Sequence, residues 1–351
     1  MMTFGLFRKV EFFIFIEFII VSIIVIITYL NHSYFLIKHR LDSHKLQKLN
    51  KLFSLMQDAG KPLKLPYLNQ TELLLQALSD WDNHAPPSKA WQEIKTAFIK
   101  EQMLPVAIQY IAAKNWIRRF FLLRCFEYVI DAQYEPELIR LIKDTVPLIS
   151  IRTTPLILLS PTKALINALI DKIYQSHQRF QKLYLVQLHA SPLLYDVILE
   201  KLQESHDPKL RHLCYRILKQ IGVTQIFYAE ILKDVNSTDF ELKLSAIRIL
   251  GEAEPKASAS ILITLLKDPN WVVRNNTLQS ISQTKNPELL KYVVAALDDE
   301  SWWVKINAAK VVSNLTEAER NTLNIDEKYR QYQAFDEPQY FLKIHTLRER
   351  E

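Results

Sequence analysis

The chain has 351 residues, 49% of them hydrophobic, and a net charge of +6, enough apolar material for a packed core in one large domain or two ordinary ones. Disorder is thereby excluded as the default state. Only four glycines occur where average usage gives roughly 25, so phosphate-cradling loops, nucleotide-binding turns and tight hairpins lack the residue they need.

Residues 1–11 form a short tail ahead of an apolar run. From Phe12 to Leu30 the sequence reads FFIFIEFIIVSIIVIITYL, 19 residues, close to the roughly 20 that cross a bilayer as a helix. A cleaved secretory signal is the competing reading, but the run is long for one and no small-x-small cleavage site follows. The pattern predicts one transmembrane helix with its interface over 12–37. Glu17 inside the run reads as a carboxylate that reaches the headgroups or is protonated, the alternative being contact with another membrane helix.

Arg8 and Lys9 precede the run, whereas Lys38, Arg40, Lys45, Lys48 and Lys51 follow it. This asymmetry places the C-terminal side in the cytoplasm, with the opposite orientation as the alternative. The five cations are offset within 38–51 by Asp42 alone, so this stretch supplies +4 of the total +6 and leaves the body nearly neutral. A nearly neutral body argues against a nucleic-acid partner, and the basic stretch suits anionic lipid headgroups.

Residues 38–104 hold helical runs around Leu46–Met56, Glu72–Trp81 and Lys89–Leu104, read as a juxtamembrane segment and N-terminal helical cap. Prolines, single or paired, separate the apolar periodic stretches from Pro62 to Pro338, as helix terminators do. Over 105–200 a repeat pattern is weak: AKNWIRRFFLLRCFEYV, anchored on Arg118, and DTVPLISIRTTPLILL, anchored on Arg152, lie 34 apart, and a further degenerate unit fits around Leu165 to Leu188. Cys125 and Cys214 lie in apolar helical stretches with no Cys or His at a metal-ligand spacing, and read as core residues.

Over 201–315 the period is clear. HDPKLRHLCYRILKQIG, TDFELKLSAIRILGEAE, DPNWVVRNNTLQSISQ and DESWWVKINAAKVVSNL align on Arg211, Lys243, Arg274 and Lys305, at intervals of 32, 31 and 31. Before each anchor stands an apolar residue (Leu210, Leu242, Val273, Val304), and three after it a small one (Cys214, Ala246, Thr277, Ala308). Apolar positions continue at four and seven after it, the stripe of an amphipathic helix that a neighbouring helix approaches closely. Partner segments such as TQIFYAEILKD, ASASILITLLK and PELLKYVVAAL lie between.

These stretches resemble HEAT repeats, of the short bacterial HEAT-like type also found in phycobilin lyases. The resemblance implies an all-α fold, an α-solenoid of helical hairpins behind the N-terminal transmembrane helix. It also implies a ladder in which an Asp in the turn and a basic residue in the following helix bond along the stack, matched by Asp268 with Arg274 and Asp299 with Lys305. Ser205 and Ser237 stand at the Asp position of the two preceding repeats, a departure from that pattern. Residues 316–351, ending FLKIHTLRERE, read as a C-terminal cap and tail, since terminal units of a solenoid need polar covering.

No His is followed by Glu, and neither G-x-S-x-G nor GxxxxGK[ST] occurs, so the sequence offers no catalytic constellation and no cofactor or metal site. His206 and His212, six apart, do not have a helical ligand spacing. The reading is a scaffold or adaptor at a bacterial inner membrane for a protein partner, either another membrane protein or an enzyme of envelope biosynthesis, with an enzyme of the bilin-lyase or DNA-glycosylase kind as the alternative. Three residues before the anchors stand Pro208, Phe240, Trp271 and Trp302, with Trp303 adjoining. Stacked repeats would align these as an aromatic ridge beside a basic row of Lys243, Arg274 and Lys305, a composition favoured in protein interfaces. The competing role for the rings is to close each inter-helix turn as a hydrophobic staple.

Overall fold

A computed structural model describes residues 2–64, 70–84, 88–284 and 286–313, with the backbone alone over 2–19. Helices and short 3₁₀ or π turns make up all the regular structure among the described residues. The expected C-terminal cap and tail lie outside the described residues. The chain divides into two compact units, Met1–Leu156 and Ile157–Glu351.

In the first unit, helix α1 (Met2–Ala59) runs unbroken from the apolar segment into the cap. Among the described residues no helix is long and apolar enough to cross a membrane, and the side chains of residues 12–19, the first part of the expected span, lie outside that description. The C-terminal end of α1 packs on α2 (Thr71–His84) and α3 (Lys89–Phe98), burying Leu49, Phe53 and Met56. Phe53 meets Trp91 and Phe98 edge-on, each with ring centroids 6.1 Å apart, an arrangement that suits the ring quadrupoles. Between α3 and α4 (Leu104–Ile108) the chain makes a π turn over Ile99–Met103. Pro105 explains it: proline has no N–H to donate and its ring crowds the preceding turn, so the helix widens there. Helices α5 (Trp116–Phe126), α6 (Glu135–Ile142) and α7 (Pro147–Leu159) follow, and the division between the units falls inside α7, one residue after its interior Pro155.

The second unit contains α8 (Lys163–Gln175), α9 (Gln178–Leu185), α10 (Pro192–Glu204), α11 (Pro208–Ile221), α12 (Tyr228–Val235), α13 (Phe240–Ala253), α14 (Ala259–Leu265), α15 (Trp271–Thr284), α16 (Pro287–Ala295) and α17 (Trp302–Ser313). Helices α11, α13, α15 and α17 lie side by side, while α12, α14 and α16 each pack against the helix that follows, the arrangement of stacked helical hairpins. The apolar column ahead of the anchors faces this packing, with Leu242, Val273 and Val304 buried. Polar side chains at the turns satisfy helix N–H groups left without intrahelical partners: Asp207 accepts from Lys209 N–H, Asp239 from Leu242 and Asn286 from Glu288, each cap contributing about 1 kcal/mol. Gly222 ends α11 at φ 92°, in the left-handed region that favours glycine. Cys125 and Cys214 are fully buried, as their apolar settings predict.

The repeat is more regular than its sequence columns. Helices α5, α7, α9, α11, α13, α15 and α17 begin at Trp116, Pro147, Gln178, Pro208, Phe240, Trp271 and Trp302, at intervals of 31, 31, 30, 32, 31 and 31. This corrects the two weak upstream anchors. Arg119, not Arg118, occupies the fourth helical position, and Ser150, not Arg152, occupies it in the next unit. Arg118 instead lies over the Tyr110 ring at 5.2 Å, and Arg152 pairs with Glu127 at 3.0 Å.

Candidate protein-binding surface

The anchor cations face inward, into a polar ladder between successive turns. The ladder runs along the stack, but each cation reaches the turn carboxylate of the next repeat, so the matched pairs Asp268 with Arg274 and Asp299 with Lys305 are not the ones that bond. Arg274 grips Asp299 with Nε and Nη2, both at 2.7 Å, and Arg119 grips Asp144 likewise at 2.6 and 3.0 Å. Lys243 reaches Asp268 more loosely, at 3.4 Å. The guanidinium also closes its own turn, Arg274 Nη1 donating to the Asp268 carbonyl at 2.8 Å and Arg119 Nη1 to the Ala113 carbonyl at 2.6 Å.

Each ladder carboxylate has two tasks. One oxygen of Asp144, Asp268 or Asp299 accepts a backbone N–H two residues on, each at 2.8 Å, and so shapes the turn. Where serine stands at this position the tasks separate. Ser205 and Ser237 keep the turn bond, each at 3.1 Å, and the carboxylate for Arg211 comes from Asp234, one helical turn upstream. Arg211 is buried there with Asp234 and Glu230, and also donates to the Leu202 carbonyl, while the Tyr215 hydroxyl bonds Asp234. In the preceding repeat both charges are missing together: Gln181 stands at the anchor, Ser205 at the turn, and Gln181 Nε2 donates to the Ser176 carbonyl at 3.1 Å. A lone buried ion is thus avoided.

The aromatic column is exposed. Phe240, Trp271, Trp302 and Trp303 each open to solvent by 41% to 55%, on the first residues of α13, α15 and α17. The Trp302 and Trp303 rings touch edge-on at 4.7 Å. Trp116 has the same place at the start of α5 and 42% exposure, in the first unit. Anchoring on Arg118, one residue early, puts Asn115 in the column in place of Trp116. Within the proposed basic row the structure separates the residues: Arg274 and Lys243 are committed to Asp299 and Asp268, and Lys305 acts on Asp299 only through its field. Of the basic row expected beside the exposed aromatic column, Arg274 and Lys243 are thus engaged in the ladder, and Lys305 is not ion-paired to a described residue.

His206 is exposed in the turn before α11, and His212 lies on α11, 2.7 Å from Ser245 Oγ. Among the described residues no group of three His, Cys, Asp or Glu side chains could hold a metal ion. Lys38, Arg40 and Lys48 are exposed on α1, and Lys45 lies 3.9 Å from Asp42.

Residues 227–313 match the family model for HEAT repeats, which spans the second unit from α12 to α17. No curated protein matches the sequence.

Proposed function

We propose that the chain is a membrane-anchored HEAT-repeat scaffold that holds a partner protein along its aromatic column, at the cytoplasmic face of a bacterial inner membrane. It binds rather than transforms. The observation that carries this reading is the half-exposed ring on the first residue of three side-by-side helices, α13, α15 and α17. A ring left that open adds little to the fold, whereas a partner that covered it would gain a large rigid apolar contact at small entropic cost.

Anchoring is supported by the sequence of 12–30 and by the exposure of α1 within the later part of that segment. Ile20, Val21, Ile23, Ile24, Val25, Ile26 and Ile27 are all exposed, although Leu49, Phe53 and Met56 of the same helix are buried. Apolar side chains bare on every side of a helix need a cover, and a bilayer supplies one. Lys38 and Arg40 then fall within about 15 Å of the end of the span, where a cation near an anionic surface contributes about 1 kcal/mol, whereas Lys45, Lys48 and Lys51 stand farther along the same helix, where salt screens them.

The test uses the full chain, tagged at its C-terminus, in bacterial membranes. It should resist extraction by alkaline carbonate, and a chemical cross-linker should join it to a partner that Trp271→Ala with Trp302→Ala no longer captures. Circular dichroism should show the double variant folded. Collapse of its helicity would return the rings to a packing role, and release by carbonate would remove the anchor.

A further inference from the structure

A groove of about 820 Å³ opens between α9, α11 and α13, in the second unit. It lies where the repeat has lost its anchor cation, beside Gln181. Its lining includes Arg216 and, one helical turn earlier on α11, His212, with Lys209 nearer the start of that helix. Arg216 Nη1 donates to Gln181 Oε1 at 2.7 Å, and among the described residues no carboxylate lies within ion-pair distance of it. The ladder arginines Arg119, Arg211 and Arg274, by contrast, each have a carboxylate. Asp239 and Glu241, at the start of α13, complete an acidic lip.

We propose that this groove receives a carboxylate side chain from an extended segment of the partner, held by Arg216 with Lys209 and His212 beside it, while Asp239 and Glu241 take a basic residue of the same segment. The inference rests on the scaffold reading and gives the partner its chemistry. A half-buried guanidinium with only a neutral amide partner has lost water without gaining an opposite charge, and a planar carboxylate matches its free N–H groups. Burial lowers the pKa of Arg216 and of His212, in keeping with that unmet desolvation. A phosphate dianion fits less well. With the imidazole mostly neutral, the charges of Arg216 and Lys209 are offset by Asp239 and Glu241, so the groove has no excess positive charge to balance a dianion, and the acidic lip would repel it. The groove also joins the aromatic column: Pro208 lines it, and Phe240 stands between Asp239 and Glu241. A segment lying on the rings of α13 and α15 would therefore reach Arg216.

The full chain in detergent micelles, applied to an array of short random peptides, tests this. The native chain should retain peptides that carry Asp or Glu with a neighbouring Lys or Arg. Arg216→Gln should weaken their retention by about tenfold or more and abolish the acidic preference. Asp239→Asn with Glu241→Gln, which keeps a capping side chain at 239, should abolish only the basic preference. Gln181→Glu offers a second route that leaves the cations in place: an internal carboxylate would occupy Arg216 and close the site to acidic peptides. Acid selection that persists in both Arg216→Gln and Gln181→Glu, or stronger retention of phosphopeptides, would overturn the proposal. Peptides retained without regard to acids would also overturn it and leave the scaffold standing. A chain that retains none, and whose cross-linked partner ignores Trp271 and Trp302, would lose both readings.

Discussion

Gly251 of α13 lies against Ser280 of α15: its N–H donates to Ser280 Oγ at 2.9 Å, and a Cβ at 251 would stand 2.6 Å from both the Ser280 carbonyl oxygen and Thr284 Cγ2. In an open helix alanine is preferred to glycine by about 1 kcal/mol. Here the contact is backbone, which cannot turn aside, and overpacking of this kind costs about 1–3 kcal/mol. Gly251→Ala should therefore lower stability by about 1–2 kcal/mol despite its better propensity. Urea unfolding of the full chain in detergent would measure it, and an unchanged or raised midpoint would mean that α13 and α15 part without cost.

The ladder cations should differ in weight. Arg274 makes two short bonds to Asp299 with both side chains about an eighth exposed, and also closes its own turn. Arg274→Ala leaves that carboxylate half-desolvated and should cost about 2–3 kcal/mol. Lys243 holds Asp268 by one bond of 3.4 Å with the amine a quarter exposed. Lys243→Ala should cost less than about 1 kcal/mol. Equal losses in denaturant titrations would show that the geometry of the pair does not set its strength.

How much of this was readable beforehand depends on the range of each interaction. The amphipathic stripe of Leu242, Lys243, Ala246 and Leu250 is a local pattern, and it gave the helices of the second unit and their period. The pairing of Arg274 with Asp299 is 25 residues long. Asp268 stands nearer in sequence but turns one oxygen to the Asn270 N–H and leaves the other for the cation of the preceding repeat. Upstream, two adjacent arginines at 118 and 119 leave the register open by one, and only the helix start at Trp116 decides it. The groove was not legible at all, because Gln181 and Arg216 are 35 residues apart and neither belongs to a motif.

Both cysteines should be chemically silent in the native state. Burial pushes the Cys214 thiol up to about 12 and raises that of Cys125 as well, and both side chains are out of reach of solvent. The reacting species is the thiolate, so an aromatic disulfide reagent at mildly alkaline pH should release no colour from the folded chain. Two equivalents should appear once guanidinium is added. Rapid reaction of either thiol beforehand would mean that the hairpin around it opens under native conditions.

Asp299 should make the second unit sensitive to acid. Burial works against its carboxylate, but the hydrogen bonds from Arg274 and the Ser301 N–H, with the fields of Arg274 and Lys305, outweigh it and hold the pKa below the usual value. The unfolded chain then binds more protons over that interval, so the contribution is complete above the ordinary Asp pKa of about 3.9 and is lost as pH falls through the lower folded value. Asp299→Asn keeps an acceptor for the Ser301 N–H but gives up the charge. It should be less stable than the native chain at neutral pH and show a flatter decline in urea midpoint under acid. In an Arg274→Ala background the same substitution should change that slope little, because the partner responsible for most of the shift is gone. If the decline under acid were as steep with Asn as with Asp at 299, the sensitivity would have to come from another carboxylate.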